Sequence, residues 1–541
     1  MAQAAQKSKN RGKKQDTAKA DTRKSAESYD EVPYESSPFP DTQPAHLCTV
    51  ARLFGLEAPE PSNSRVLELG SASGGNLMPL ALDYPDSEFV GIDISSVQIA
   101  EGERQRKALG LDNLRLEALD IMQLDESYGQ FDYIICHGVY SWVPDKVRDR
   151  ILKICRDRLT QNGVAMISYN VLPAWAAVRS VRDMLIYHTK NFDEPQEKVR
   201  QARLLVDFLN NNTIQDSPYQ GILENERNIL FKSPEHYILH EYLEDVNTPF
   251  YLHEFVEQAN ARGLAYLGDT EIQSMYAGNM PDDAKKVLHA MDDVVRQEQY
   301  MDFIRNRRFR KTLITHKDNK LDYNLTPEQM ADYYIIATVK TSGPVTLDRE
   351  VMTFEFGDRR GANMQLGDPY AKAFMSALAH YSGIPVDFET IVGQTQAAYQ
   401  LEDEAHLRKL ARNSMLELVL RGYAKATMEQ AQWTSALSSY PKACPLALYQ
   451  ARDLGQKWVT TAARNRYNID WLGRDIVACC DGAHMLDDIV AQVIANIRER
   501  ETEIYDDNNE KITDLQAFEA HIDKVVRNFM TSLVQNAVLV A

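Results

Sequence analysis

Short apolar runs alternate with helical stretches between residues 66 and 169, and this alternation is the clearest pattern in the chain. Runs at 66–69, 89–93, 114–120, 131–137 and 164–169 predict strands, while helical periodicity at 97–109 and 146–159 fills two of the gaps. Asn162-Gly163 predicts the turn into the fifth strand. Strands alternating with helices imply a mostly parallel, doubly wound α/β sheet, which binds ligands at the carboxyl ends of its strands. Beyond it the pattern changes: residues 190–320 carry long helical periods with charged faces, including 194–211 and 282–310, and few strand signals. Two later stretches share a cadence, a helix leading into a short apolar strand, at 407–424 and at 518–540, and this predicts two winged-helix-like modules. The expected division is a tail at 1–28, a sheet domain at 29–189, a helical domain at 190–324 and modules at 325–430 and 431–541, with 317–324 as a polar linker.

Candidate chemistry gathers at the predicted strand ends. The first strand runs through Glu68 into the small-residue loop Gly70-Ser71-Ala72-Ser73-Gly74-Gly75-Asn76. Glycines let a backbone approach a ligand closely, and the next helix offers unpaired N–H groups at its start. The G-x-G-x-x-G spacing of diphosphate binders is absent. Asp93 ends the second strand, where a carboxylate can take both ribose hydroxyls. Asp120 ends the third and can accept from an adenine amino group, and His137 ends the fourth. Any one of these acids alone reads equally as a helix cap, as Asp93 before Ser95 and Ser96 illustrates. Three in order point to a nucleoside-bearing cofactor.

These residues resemble the first motifs of class I S-adenosylmethionine-dependent methyltransferases. The likeness extends to bacterial methyltransferases with a methyltransferase regulatory domain, a group that includes rickettsial protein-lysine methyltransferases. It is carried by Leu67-Glu68-Leu69-Gly70, Ser73-Gly74-Gly75-Asn76-Leu77, Val90-Gly91-Ile92-Asp93, His137-Gly138-Val139-Tyr140-Ser141-Trp142-Val143-Pro144 and Ser168-Tyr169-Asn170, and continues through 239–244 and 303–310. After about residue 330 it rests on general layout. The resemblance implies a Rossmann-like sheet and S-adenosylmethionine held by Glu68, Gly70, Ser71, Ala72, Gly74, Asn76, Asp93, Ile94, Asp120, Ile121 and His137. His137, Tyr140 and Asn170 are the catalytic candidates, with Trp142, Tyr169 and Trp175 around the acceptor, because all six lie just beyond the fourth and fifth predicted strands. For Trp142 and Trp175 the alternative is packing of the helical region onto the sheet. Ala174 stands where the family's Pro-Gly-Trp turn has glycine, which alters the expected substrate entrance. Three functions stay open: a protein-lysine N-methyltransferase whose later domains select the substrate, a methyltransferase for a small molecule or RNA, and a non-catalytic adaptor.

Composition narrows the partners. A chain of 541 residues with net charge −18 is poorly suited to general nucleic-acid binding. Residues 1–28 nevertheless hold eight basic against three acidic side chains, which leaves the rest at −23. This basic tail has almost no apolar residues and is expected to be disordered; it serves either as an electrostatic tether to an anionic partner or as an inert extension. It lacks a secretory h-region, and no apolar stretch is long enough to span a bilayer. Six cysteines without C-x-x-C spacing fit a reducing cytoplasm. His236 and His240 have metal-ligand spacing but no obvious third ligand, so no metal is expected. The cationic run 305–311 reads equally as a grip on an acidic substrate or as a salt-bridged face. A protein partner is expected through the lysine acceptor, and a homodimer is compatible with the chain.

Overall fold

The structure is a computed structural model describing residues 35–357, 361–500, 502–505 and 511–540; the basic tail at 1–28 lies outside the described residues. Seven strands form the main sheet: β1 (Arg65–Leu69), β2 (Glu88–Asp93), β3 (Leu114–Ala118), β4 (Phe131–Cys136), β5 (Leu159–Asn170), β6 (Leu264–Asp269) and β7 (Phe309–His316). Their order is 3-2-1-4-5-7-6, with β7 antiparallel to both neighbours and every other pair parallel. The inner strands are buried on both faces, which is why they read as near-continuous apolar runs. Alternation along β1 sends Val66 into one core with helix Pro44–Leu53, and Leu67 and Leu69 into the other with helices Asp145–Arg158 and Leu252–Asn260.

The chain departs from the sequence-based expectation at four places. β5 begins at Leu159, so Asn162-Gly163 lies inside the strand, next to an irregularity in its pairing with β4 between Phe131 and Tyr133. The sheet does not end near residue 189: β6 and β7 come from the region expected to be helical, and the helices between Ala174 and Asn260 are a long excursion from β5 before the chain returns. The helix expected over 282–310 is two helices, Asp282–Leu288 and Val294–Arg305, the second closed by Asn306 in the left-handed region at φ 49°. The polar stretch 317–324 is packed on the body, since the Tyr323 hydroxyl donates to the Tyr266 carbonyl at 2.8 Å.

The cationic run is a salt-bridged interior rather than an open grip. Arg310, 1% exposed, meets Asp302 at 2.7 Å, Glu298 at 3.0 Å and Asp269 at 3.3 Å, and Arg307 meets Asp269 at 2.9 Å. Arg308 pairs with Glu226, and Lys311 with Asp41 and Glu271. These pairs tie β7 to β6, to helix Val294–Arg305 and to the helical excursion.

Both C-terminal stretches show the expected cadence. Helix Glu404–Arg421 leads into strand Lys425–Thr427, and helix Leu515–Gln535 into Leu539–Val540, which pairs with Lys442–Ala443. The two differ in how they join the body. Phe354, Phe374 and Leu418 share one continuous core with Leu47 and Val66, whereas the last stretch builds its own around Val477, Val493, Val526 and Met530. Among the described residues no helix is long and apolar enough to cross a membrane.

Candidate cofactor and acceptor site

The carboxyl ends of β1 to β5 gather the site. Gly70 leaves β1 at φ +79°, and its N–H, like that of Ser71, donates to the Ile92 carbonyl on β2. A Cβ at Gly70 would lie 2.5 Å from the Val139 side chain, so glycine is required by backbone conformation and by the chain after β4 as well. Asp93 closes β2 by accepting the N–H of Ala72 on one oxygen and of Ser95 on the other, each at 2.9 Å. It therefore holds both the loop and Ser95, the residue whose hydroxyl caps helix Ser96–Ala108 by accepting the Gln98 N–H. Carboxylate oxygens accept more than one hydrogen bond, so these contacts are compatible with a further role toward ribose. Asp120 accepts the Met122 N–H at 2.9 Å, the cap reading, beside a half-buried Ile121; Ile94 is half-buried next to Asp93.

Glu68 is buried at the end of β1. Burial raises its carboxyl to about 7, the Asn76 hydrogen bond pulls it down and the charge of Asp93 pushes it up again. His137 goes the other way: burial lowers its imidazole to about 4, so the ring is neutral at physiological pH. Neutrality lets it face a cationic sulfonium or amine without repulsion. Glu68 Oε2, Ser71 Oγ, His137 Nδ1 and Asn170 Nδ2 are all buried without a hydrogen-bond partner. Buried polar atoms are normally satisfied, so four such atoms at the ends of β1, β4 and β5 fit a polar ligand.

Other candidates have different work. Asn76 is spent on protein: its Nδ2 donates to Glu68 Oε1 and Thr42 Oγ1, and its Oδ1 accepts the Phe39 N–H, all at 2.9 Å. It positions Glu68 rather than offering a free group to a ligand. Tyr140 is fully buried, donates its hydroxyl to Gln258 at 3.0 Å and packs edge-on to Phe255; Tyr169 stacks on Phe255 and bonds Thr312 at 2.9 Å. Both belong to the core behind the site, which corrects the expectation that they face the acceptor. Trp142 and Trp175 meet edge-on at 6.1 Å and pack against Val178, Val181 and Leu185, so they dock the helical excursion onto the sheet. Gly74, also at positive φ, completes the loop. His240 sits at 3.3 Å from Glu244, and the described residues hold no cluster fit for a metal.

Sequence reasoning missed the segment 35–43, which crosses the loop. Ser36 Oγ accepts the Gly75 N–H at 2.8 Å, and Phe39 places its ring 4.4 Å from that of His137. Glu35, at the start of the segment, accepts from Trp458 Nε1 at 2.5 Å and pairs with Arg466 at 2.7 Å. No periodicity marks these residues, because their partners are brought together only by the fold.

A 3-2-1-4-5-7-6 sheet with β7 reversed, a small-residue loop after β1 and acids at the ends of β1, β2 and β3 together define a class I S-adenosylmethionine-dependent methyltransferase. Family models agree: "Methyltransferase domain" matches residues 60–220, "Predicted methyltransferase regulatory domain" 234–316, and "PKMT, C-terminal winged helix domain" 439–538. The uncharacterized protein RP789 of Rickettsia prowazekii is 37% identical over 518 residues, 95% of this chain and 93% of its own length. RP028 of the same organism is 42% identical over 241 residues, 44% of this chain and 96% of its own. PKMT2 from Rickettsia typhi, solved in complex with AdoHcy, superposes with a TM-score of 0.87 at 32% identity, covering 94% of this chain and 100% of that one. The chain belongs to this family, the S-adenosylmethionine-dependent methyltransferases with a regulatory domain and a PKMT winged-helix domain, and closely resembles PKMT2 from Rickettsia typhi.

Proposed function

We propose that the protein transfers methyl groups from S-adenosylmethionine to the Nε of lysine in a protein substrate, and that its C-terminal winged-helix module selects that substrate. The observation that carries this reading is the full-length likeness to PKMT2, which extends through the winged-helix module as well as the sheet. The acidic body suits attraction of a lysine-bearing partner, since the chain carries a net charge of −18. Six free cysteines, five of them buried, accord with a cytoplasmic setting.

When bound, S-adenosylmethionine would supply a sulfonium methyl to the lone pair of a neutral lysine amine. This chain's residues provide alignment and exclusion of water. Alignment can supply much of the acceleration in such a displacement. The loop 70–76, Asp93 and Glu68 hold the donor side, with Asp120 and Ile121 toward the base and Ile94 beside Asp93. Neutral His137 and Asn170 face the acceptor side. A lysine amine, ordinarily near 10.4, must be neutral to attack, and an apolar entrance favours that form.

Incubating the full chain with methyl-labelled cofactor and a cell lysate tests the reading. Label in protein supports it. Label confined to RNA or to small extractable species would replace it with the alternative methyltransferase readings, and no transfer with retained cofactor binding would leave a non-catalytic adaptor.

A further inference from the structure

Two half-exposed phenylalanines flank His137, and neither belongs to the pocket expected from sequence. Phe39 lies 4.4 Å from the imidazole, centroid to centroid, at an interplanar angle of 54°; Phe309 lies 6.0 Å away, edge-on at 86°. They are 37% and 38% exposed. Phe309 opens β7 and pairs in register with Asn170, the last residue of β5, so the reversed strand delivers an aromatic ring to the carboxyl end of the parallel ones. The Phe39 N–H is held by Asn76, the residue that also holds Glu68, which ties the backbone of Phe39 to the cofactor loop.

Single exposed apolar side chains need no explanation, but two converging on one neutral imidazole at the end of a catalytic sheet form a shaped surface. We propose that Phe39 and Phe309 are the walls of the passage that receives the acceptor lysine, an inference that rests on the protein-lysine reading above. Aromatic faces take a cationic ammonium, and apolar walls strip water from the aliphatic stem and favour the neutral amine further in. The rings expected to do this, Tyr140, Tyr169, Trp142 and Trp175, are committed to packing. Phe39 is also pinned from both sides of its segment, by Glu35 on Trp458 and Arg466 and by Asp41 on Lys311 at 2.6 Å. The winged-helix module thus fixes one wall of the entrance.

The test uses the full chain, labelled S-adenosylmethionine and poly-L-lysine as acceptor, with cofactor affinity measured separately by calorimetry. Phe39→Ala and Phe309→Ala should each raise KM for poly-L-lysine about tenfold, the loss of roughly one aromatic–cation contact, while cofactor Kd moves by no more than about twofold. Phe39→Tyr should restore KM. Unchanged KM in both alanine variants overturns the assignment, as does a cofactor Kd that weakens in step with KM, which would make the rings walls of the cofactor site instead. A wild-type chain that binds S-adenosylmethionine yet neither methylates nor binds poly-L-lysine overturns the lysine reading itself.

Discussion

Asp93 accepts the backbone N–H of Ala72 at 2.9 Å, so the acid that closes β2 holds the loop that follows β1. Removing its carboxylate takes away that brace together with the bonds proposed to reach the ribose. Asp93→Ala should weaken S-adenosylmethionine binding about ten- to a hundredfold, the scale of a charged hydrogen bond. Calorimetry reads this directly, and an unchanged Kd would remove Asp93 from the cofactor site.

Cofactor binding should depend on pH through Glu68. Its carboxyl sits near 7, above the ordinary value, because burial disfavours the charge. Without ligand the folded chain therefore keeps this proton to higher pH than the unfolded chain, and the stability so contributed is present in acid and lost as pH rises through about 7. A cationic ligand beside Glu68 favours the ionised form, so affinity should rise about tenfold from pH 6 to pH 8, with proton release on binding. In Glu68→Gln this increment should vanish; an identical pH profile in the variant would show that another group titrates.

Arg310 is the keystone of the buried charges around β7. Arg310→Met would leave Asp302, Glu298 and Asp269 facing one another with fewer cations. Breaking a buried pair by removing one partner costs about 3–5 kcal/mol, so denaturant unfolding should show a loss of that size. A variant as stable as the parent would mean that water or protonation already compensates the cluster.

Much of the sheet was legible because β1, β2 and β4 are buried almost throughout and acids stand at the ends of β1, β2 and β3. β7 was not: Arg310 closed an expected helix and, with Lys311, read equally as a grip on an acidic substrate or as a salt-bridged face, and only the partners Asp302, Glu298 and Asp41 make a buried strand of them. Chain proximity to His137 also misled. Tyr140 and Trp142 follow it closely in sequence, yet their turn points them into the core, while Phe39 and Phe309 reach its ring from 98 and 172 residues away. Asn76, adjacent to the glycine loop, looked like a ligand contact until Thr42 and Phe39, from a segment without periodicity, were seen to occupy it.

The separate core of the last module sets where the chain can be cut. The stretch at 325–430 shares its core with the sheet, so truncation near 325 would open that core, whereas ending the chain at 430 removes the module built around Val493 and Val526 together with two of its ties to the body, Leu446 in the shared core and Arg464 on Asp83 and Glu429. That truncated chain should keep S-adenosylmethionine affinity within about tenfold, since Glu35 loses its anchor but the loop keeps its own bonds. Methylation of the physiological target should be lost. Full activity on that target would refute a recognition role, and loss of cofactor binding would show that the module is needed for the loop's closure.

The chemical identity of the product tests the central claim most directly. Tandem mass spectrometry of proteins from a lysate treated with the full chain and methyl-labelled S-adenosylmethionine should locate the label on lysine Nε, with incorporation lowered about ten- to a hundredfold in the Asp93→Ala control at limiting cofactor. Label on another side chain, on nucleic acid or on a small molecule would contradict it.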